Sequence, residues 1–400
     1  MTAEYDHSGG ADRSLRTLHV GTDWFPERPG GLARYFFELW RHLPAAGVGF
    51  RGLVVGSSAV GTASGGTVTS FSPVSAPLIA RLWRARRAAA DALRSDPQAL
   101  LVSHFALYTF PFGGPRGGKL RRRPLVVHFQ GPWALEGTAE RGSRTRALVK
   151  HAVERAVYDH ATVFVVLSEA FGRILVERYD VPRDRIRVIP GGADVDRFAD
   201  VPSRADARRA LGWPADRPIV LTVRRLVRRM GLDTLVEAAA SIRRAIPDAL
   251  VMICGAGRLR ADLERSIEAQ GLADGVRLAG FIPDDKLPLA YRAADLSVVP
   301  SVALEGFGLV AAESLAAGTA VMVTPVGGLP EVVAGLAPQC VLAGTSANDL
   351  AEGIVGALTG MIALPTADAC QRFARERYAW PTIARQLRDV YAGAYAGAGP

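Results

Sequence analysis

The 400-residue sequence predicts an α/β protein built from two Rossmann-like doubly wound parallel-sheet domains facing a central cleft. Three observations carry that prediction. Short apolar runs alternate with helical patterns over most of the length, as parallel strands joined by crossover helices and covered on both faces require. The alternation restarts after Pro190, so that each half holds a sheet of similar size. Glycine-rich loops stand between a strand and a helix in both halves, where doubly wound sheets hold their ligands. Composition agrees: 49% of the residues are hydrophobic, enough for two sizeable cores.

In the first half, apolar runs at 18–21, 52–56, 99–103, 125–129, 162–167 and 187–189 predict strands. Amphipathic patterns at 32–43, 78–93 and 144–158 predict helices between them. In the second half, strands are predicted at 219–223, 250–254, 276–279, 296–299, 320–323 and 340–342, with helices at 233–245, 259–269 and 347–358. The boundary falls in 191–218. The chain then divides into a polar lead-in over 1–16, read as disordered, domains over 17–198 and 199–379, and a C-terminal segment, 380–400. The lead-in lacks the apolar core of a signal peptide. Segment 113–123 is glycine-rich and basic and reads as a mobile loop.

Net charge is +9, and the basic residues are almost all arginine, with lysine only at Lys119, Lys150 and Lys286. Arginine's planar fork suits phosphate recognition; skewed codon usage is the plainer reading of the overall bias and is preferred. A basic chain favours anionic partners such as nucleotides or acidic membranes. No zinc-finger, basic-zipper or RNA-binding signature points to nucleic acid. Helix 78–93 places Arg81, Arg84, Arg86 and Arg87 beside apolar residues. The arginines keep to no clean face, so it reads as an ordinary surface helix; contact with acidic lipid headgroups is the alternative. Cys254, Cys340 and Cys370 are odd in number and fit no metal spacing, which points to a reducing, cytoplasmic compartment. No apolar run is long enough to span a bilayer. Contact with the inner membrane face stays open.

The most informative stretch is 305–331. It reads Glu305-Gly-Phe-Gly-Leu-Val-Ala-Ala-Glu313 and ends Val326-Gly-Gly-Leu-Pro-Glu331. A strand leads in and a small-residue helix leads out. A helix start offers unpaired N–H groups and the positive end of a dipole, which suits a diphosphate. Gly306 and Gly308 let the backbone come close to a ligand. Glu305 lies before the helix and Glu313 more than a turn inside it, so the two carboxylates can accept hydrogen bonds from hydroxyls on either side of a phosphate.

Other strand ends add to this. Gly30 and Gly31 follow the first strand and open a helix. His128 ends the 125–129 strand at its carboxyl edge, where it can meet a sugar hydroxyl or help organise a leaving group. Arg224, Arg225, Arg228 and Arg229 crowd the loop after strand 219–223, and a pair of guanidiniums there would neutralise a diphosphate. Gly255 and Gly257 open a partial dinucleotide fingerprint whose third glycine is Arg260. Asp194 and Asp196 are not completed into a metal ligand set.

Taken together and in this order, the Gly30-Gly31 loop, the His128 strand end, Val188-Ile-Pro-Gly-Gly-Ala-Asp194, the Arg225 loop, Gly280-Phe-Ile-Pro283 and the Glu305/Glu313 motif resemble family 4 of the retaining glycosyltransferases, which have the two-domain GT-B fold. The resemblance covers nearly the whole chain, and its last element is the specific one. It implies a nucleoside-diphosphate-sugar donor, an acceptor hydroxyl on a glycan, lipid or small natural product, no metal and no other cofactor. It makes 17–198 the acceptor side and 199–379 the nucleotide-sugar side. Glu313 would bind the donor ribose, Glu305 the transferred sugar, and the backbone of Gly306, Phe307, Gly308, Leu309 and Val310 the diphosphate and sugar. Arg225 would neutralise the diphosphate, Ile282 meet the base, Gly31 cap the phosphate beside Gly30, and His128 face the sugar. Gly255 joins the donor-binding positions. The final helix, about 380–391, would cross back onto the first domain.

Two departures stand out. Where the family usually has lysine, this chain has Met230, and Arg229 is the candidate for the missing charge. Where the family has asparagine in the Asn-Gly-Val-Asp loop, this chain has Gly191. The implied route is front-face, with the departing phosphate oxygen helping to take the acceptor proton. Domain closure would exclude water. Met230 raises a second reading, a non-catalytic partner that holds a nucleotide-sugar. A nicotinamide oxidoreductase built on Gly255 is disfavoured by Arg260, and a pyridoxal phosphorylase by the lack of a lysine in a pocket motif. Base, sugar, acceptor and oligomeric state stay open.

Overall fold

The computed structural model describes residues 15–28, 30–112, 123–135 and 143–397. The expected lead-in before residue 15 and most of the glycine-rich basic segment, 113–122, lie outside these. Two all-parallel sheets form. The first contains β1 (Leu15–Asp23), β2 (Val48–Val55), β3 (Val68–Ser72), β4 (Leu100–Ser103), β5 (Leu125–Phe129), β6 (Val163–Val166) and β7 (Ile186–Val188), in the order 3-2-1-4-5-6-7. The second contains β8 (Ile219–Val223), β9 (Leu250–Cys254), β10 (Val276–Gly280), β11 (Leu296–Val299) and β12 (Val321–Val323), in the order 10-9-8-11-12. The order reverses between β1 and β4 in one sheet and between β8 and β11 in the other. Crevices open at such reversals, outside the carboxyl ends of the strands.

The connecting helices of the first sheet include α1 (Gly31–His42), α2 (Leu78–Ser95), α3 (Arg144–Tyr158) and α4 (Glu169–Tyr179). Those of the second include α5 (Leu232–Ala245), α6 (Arg260–Ala269), α7 (Leu287–Ala293), α8 (Leu309–Ala316) and α9 (Ala347–Leu358). The chain ends in α10 (Ala367–Tyr378) and α11 (Trp380–Ala396).

Two differences from the sequence reading concern strands. Residues 68–72 form β3, an edge strand that Val-Thr-Ser-Phe-Ser marks only weakly. Residues 340–342 do not form a strand: Pro338–Cys340 is a 3-10 turn, and Val341 makes a single bridge to Val323. Proline at the start of that turn lacks the N–H a ladder needs.

The first sheet is covered on both faces. Strand alternation sends Leu125, Val127 and Phe129 to one core, shared with α2, α3 and α4, and Val126 to the other. That second core is closed by α11, which contributes Trp380, Ile383, Ala384, Leu387 and Tyr391. The last helix of the chain is thus part of the first lobe. Polar ties join the lobes as well. Arg34 on α1 pairs with Asp284 after β10, and Arg197 reaches the same carboxylate at 2.9 Å. Glu331 accepts from the backbone N–H groups of Glu169 and Ala170, at 2.8 and 3.0 Å, and so caps α4 of the first lobe.

On α2, Ile79 is 82% and Trp83 60% exposed, with Arg87 over the Trp83 ring at 5.6 Å. Among the described residues no helix is long and apolar enough to cross a membrane.

Candidate active site

The two sheet reversals face each other across a cleft of about 440 Å³, within the usual range for a small-molecule site. The second-lobe wall is the loop between β11 and α8. Its shape follows from its glycines. Gly308 has φ +90 and caps α8, an angle that a side chain rarely adopts. Beneath the loop, a Cβ on Gly327 would lie 1.9 Å from the Glu305 carbonyl, and one on Gly328 2.3 Å from that of Gly306. The Val326–Glu331 motif therefore serves the Glu305–Gly308 loop by leaving it room. Leu304 takes φ +51, a strained angle for leucine. Arg229 braces it by donating to the Leu304 carbonyl at 2.9 Å. The first N–H groups of an α-helix have no partner within it, and Leu309 and Val310, the first two residues of α8, line the cleft.

Behind this loop lies a buried ion pair that the sequence reading did not single out. Arg224, just past β8, donates to Glu305, to Ser301 Oγ at 2.6 Å and to Met230 Sδ at 2.7 Å. Ser301 donates to the same Glu305 oxygen at 3.0 Å. Burial pushes the Glu305 carboxyl up, but the Arg224 charge and the hydrogen bonds from Arg224 and Ser301 outweigh it and hold the group below its ordinary value. A Cβ on Gly255, whose φ is +142, would stand 1.9 Å from the Arg224 carbonyl. Gly255 thus seats Arg224 and does not itself border the cleft. Arg225 and Arg229 both border it. Arg224 stands beside Met230, paired to Glu305, while Arg229 lines the cleft and donates to the Leu304 carbonyl.

Glu313 occupies a different space. Its carboxylate accepts from Tyr291 at 3.1 Å and lines a small hollow with Arg34, Glu38 and Trp380. Leu309 borders both the hollow and the main cleft. The two motif carboxylates therefore line separate spaces that share Leu309. Burial raises the Glu313 pKa, while the charges of Arg34 and Arg197 and the Tyr291 hydrogen bond oppose the rise. Ile282 is half-buried beside Asp284, away from the main cleft lining.

The first lobe supplies the opposite wall. Gly30 and Gly31 border the cleft, and a Cβ on either would meet no protein atom within 4 Å. Their small size keeps space open and is not needed for packing. His128 differs from expectation. It also borders the cleft, but alternation along β5 turns its ring toward the α11 face, where it is 2% exposed. Both ring nitrogens are engaged, Nδ1 with Tyr35 OH at 3.1 Å and Nε2 with Tyr391 OH at 2.7 Å. Neither is left for a sugar hydroxyl, so His128 ties α1, β5 and α11 together. Burial, with the nearby His104 adding to it, keeps it well below the ordinary histidine pKa.

His104 and Gln130 also border the cleft, one residue past β4 and β5 respectively. The carboxyl-edge rule that picked out His128 applies equally to both. Glu154 shapes the same wall by accepting from Trp133 N at 2.8 Å and Tyr179 OH at 2.8 Å. Among the described residues no three His, Cys, Asp or Glu side chains are grouped as metal ligands.

Comparison with known proteins agrees with the two-sheet fold. Residues 203–377 match the family model described as glycosyl transferases group 1, and residues 29–197 that described as glycosyltransferase family 4. A D-inositol 3-phosphate glycosyltransferase of Corynebacterium urealyticum is 35% identical over 256 residues, 60% of this chain and 58% of that protein. The chain thus spans little more than half of that relative's length. A GDP-mannose-dependent alpha-(1-6)-phosphatidylinositol monomannoside mannosyltransferase of Mycobacterium tuberculosis is 28% identical across 94% of this chain and 98% of its own. Among solved structures, sucrose-phosphate synthase of Thermosynechococcus elongatus superposes with a TM-score of 0.77 at 23% identity, covering 96% of this chain and all of that one. Anabaena HepE, in complex with UDP, does so at 0.75 and 20% identity, covering 94% of this chain and all of its own.

Proposed function

The chain has the GT-B architecture of the glycosyltransferase superfamily, and from that premise we propose that it is a retaining, metal-independent enzyme of family 4. It moves a sugar from a nucleoside-diphosphate sugar to an acceptor hydroxyl. One observation carries the reading. The open start of α8 and the arginine-rich loop after β8 meet at one sheet reversal, directly across from the Gly30–Gly31 opening of the other.

The chemistry follows from that placement. Breaking the glycosidic bond leaves a diphosphate with growing negative charge. Leu309 and Val310 at the start of α8 and Arg225 line the cleft, where amides at the positive end of the helix dipole and a guanidinium would stabilise such a charge. Arg224 adds a cation beside Met230 without needing to move. Glu305, locked to Arg224, keeps one edge of its carboxylate for the transferred sugar. Its ionised state at neutral pH suits a hydrogen-bond acceptor and disfavours an acid. A front-face route asks little of an enzymic base, since the departing phosphate oxygen takes the acceptor proton. Glu313 in its separate hollow suits the ribose, more than a helical turn from the phosphate. The relatives suggest GDP-mannose and UDP-sugars as donors, and inositol phosphates or phosphoinositides as acceptors.

The test is release of nucleoside diphosphate from UDP-, GDP-, ADP- and dTDP-sugars, in the presence of a chelator. It is run with D-inositol 3-phosphate and with vesicles containing phosphatidylinositol. Turnover with an α-linked product from an α-linked donor is expected. Tight nucleotide binding with no release from any pair would favour the non-catalytic partner that Met230 suggests. A chelator-sensitive rate would remove the metal-independent part.

A further inference from the structure

One wall of the cleft carries a buried lone pair whose position is fixed by a chain of hydrogen bonds. Thr17 on β1 donates its hydroxyl proton to the Gly49 carbonyl at 2.9 Å. Its oxygen is left to accept from His19 Nε2, also at 2.9 Å. A neutral imidazole has one N–H and one bare nitrogen. His19 Nδ1 is therefore bare, and its partner at 2.9 Å, His104 Nε2, must carry the proton. The same rule leaves His104 Nδ1 bare. That atom is buried, has no hydrogen-bond partner and belongs to a ring on the cleft wall. Burial keeps both rings neutral. His19 lies well below the ordinary value, with His104 and His128 adding to the effect, and His104 is pushed down to about 3. Gln130 Nε2, an amide donor at the end of β5, is also buried without a partner on the same wall.

We propose that His104 Nδ1 and Gln130 Nε2 form a subsite for a polyol: one hydroxyl donates to His104, and the same or a neighbouring hydroxyl accepts from Gln130. An unpaired acceptor and an unpaired donor lining one cleft match a group that has both a proton and lone pairs. A phosphate or carboxylate oxygen would set a lone pair against the lone pair of His104, and an ammonium has nothing to accept from Gln130. Leaving the two atoms buried and unpaired is costly, and a polyol removes that cost. His104 holds the hydroxyl without deprotonating it, because so weak a base takes no proton at neutral pH. The wall lies across the cleft from the donor loop, so the polyol belongs to the acceptor. That last step alone rests on the glycosyl-transfer reading.

Two measurements test the subsite. In the free full-length chain labelled with 15N-histidine, imidazole spectra at pH 7 are expected to show His19 and His104 each protonated on Nε2 and bare on Nδ1. Assignments come from H19Q and H104Q, and T17V is expected to loosen the pattern. A proton on His104 Nδ1, or a charged ring, overturns the proposal whatever the enzyme's activity. In transfer assays, H104F and Q130L are each expected to raise the acceptor KM about ten- to hundredfold. Donor affinity and donor hydrolysis by water stay as in the parent. H104N, which keeps an acceptor oxygen near the place of Nδ1, restores part of the loss. An unchanged acceptor KM in folded, active H104F and Q130L overturns the subsite. Absence of nucleotide release from every donor speaks against the transfer reading and leaves the spectral test to decide the subsite.

Discussion

Replacing Arg224 with methionine takes one member from a buried pair and strands the other. The Arg224 and Glu305 side chains are only 7% and 14% exposed. Breaking such a pair from one side costs about 3–5 kcal/mol, chiefly because the remaining charge has lost its solvation and its partner. At about 2–4 °C per kcal/mol for a lobe of this size, unfolding of the second lobe should drop by roughly 6–20 °C. The loss should depend on pH. Glu305 has its carboxyl pKa depressed in the fold. A depressed carboxyl contributes stability above its unfolded pKa and loses it as pH falls through the folded one. In R224M, burial is opposed less, and the pKa rises. The deficit against the parent should therefore be largest near pH 7.5 and shrink toward about pH 5 as the stranded carboxylate takes a proton. Adding E305Q to R224M should recover most of the lost stability, since an amide is far cheaper to bury than a lone charge. Scanning calorimetry of parent, R224M, E305Q and the double variant at pH 5 to 8 gives the full cycle. A deficit that is flat with pH, or no recovery in the double variant, would falsify the account of Glu305 as a charge held in place by Arg224.

Glu313 has a raised pKa, so its contribution to stability is present at low pH and lost as pH rises through the folded value. E313Q should therefore melt at or above the parent temperature at pH 8 while binding donor nucleotide more weakly; a lower melting point at pH 8 contradicts this. G31A should change stability by no more than about 0.5 kcal/mol, since its Cβ meets nothing, yet weaken donor affinity about tenfold as read by calorimetry. G255A, whose Cβ would collide with the Arg224 carbonyl, should cost about 3 kcal/mol or more in denaturant melts. Y391F leaves His128 Nε2 buried without a partner and should cost about 1–3 kcal/mol in the first lobe, with donor affinity unchanged.

The fold was legible because parallel strands buried on both faces read as continuous apolar runs, and among the described residues eleven of the twelve strands coincide with such a run. Elements without that mark went unread. Strand Val68–Ser72 has hydroxyl residues at three of its five positions, and helix Ala367–Tyr378 is so rich in charge that no apolar stripe stands out. The backbone of the candidate site was legible for a related reason: positive φ and close approach demand glycine, and glycine shows in a sequence. Its electrostatics were not. Arg224 and Glu305 are 81 residues apart, and adjacent arginines give no hint which one turns inward. His128 stands at a strand end, yet its burial depends on Tyr391, 263 residues later. Contacts of that span exist only after the chain has folded.

The closing helix has a consequence for how the molecule comes into being. Trp380, Ile383, Leu387 and Tyr391 complete a core whose other members, such as Trp24, Phe36 and Val126, lie within the first third of the chain. During synthesis, then, the first lobe cannot finish assembling until residues 380–396 leave the ribosome. A shortened product ending before Trp380 would hold a sound second sheet and an unfinished first one, an easy target for quality-control proteases.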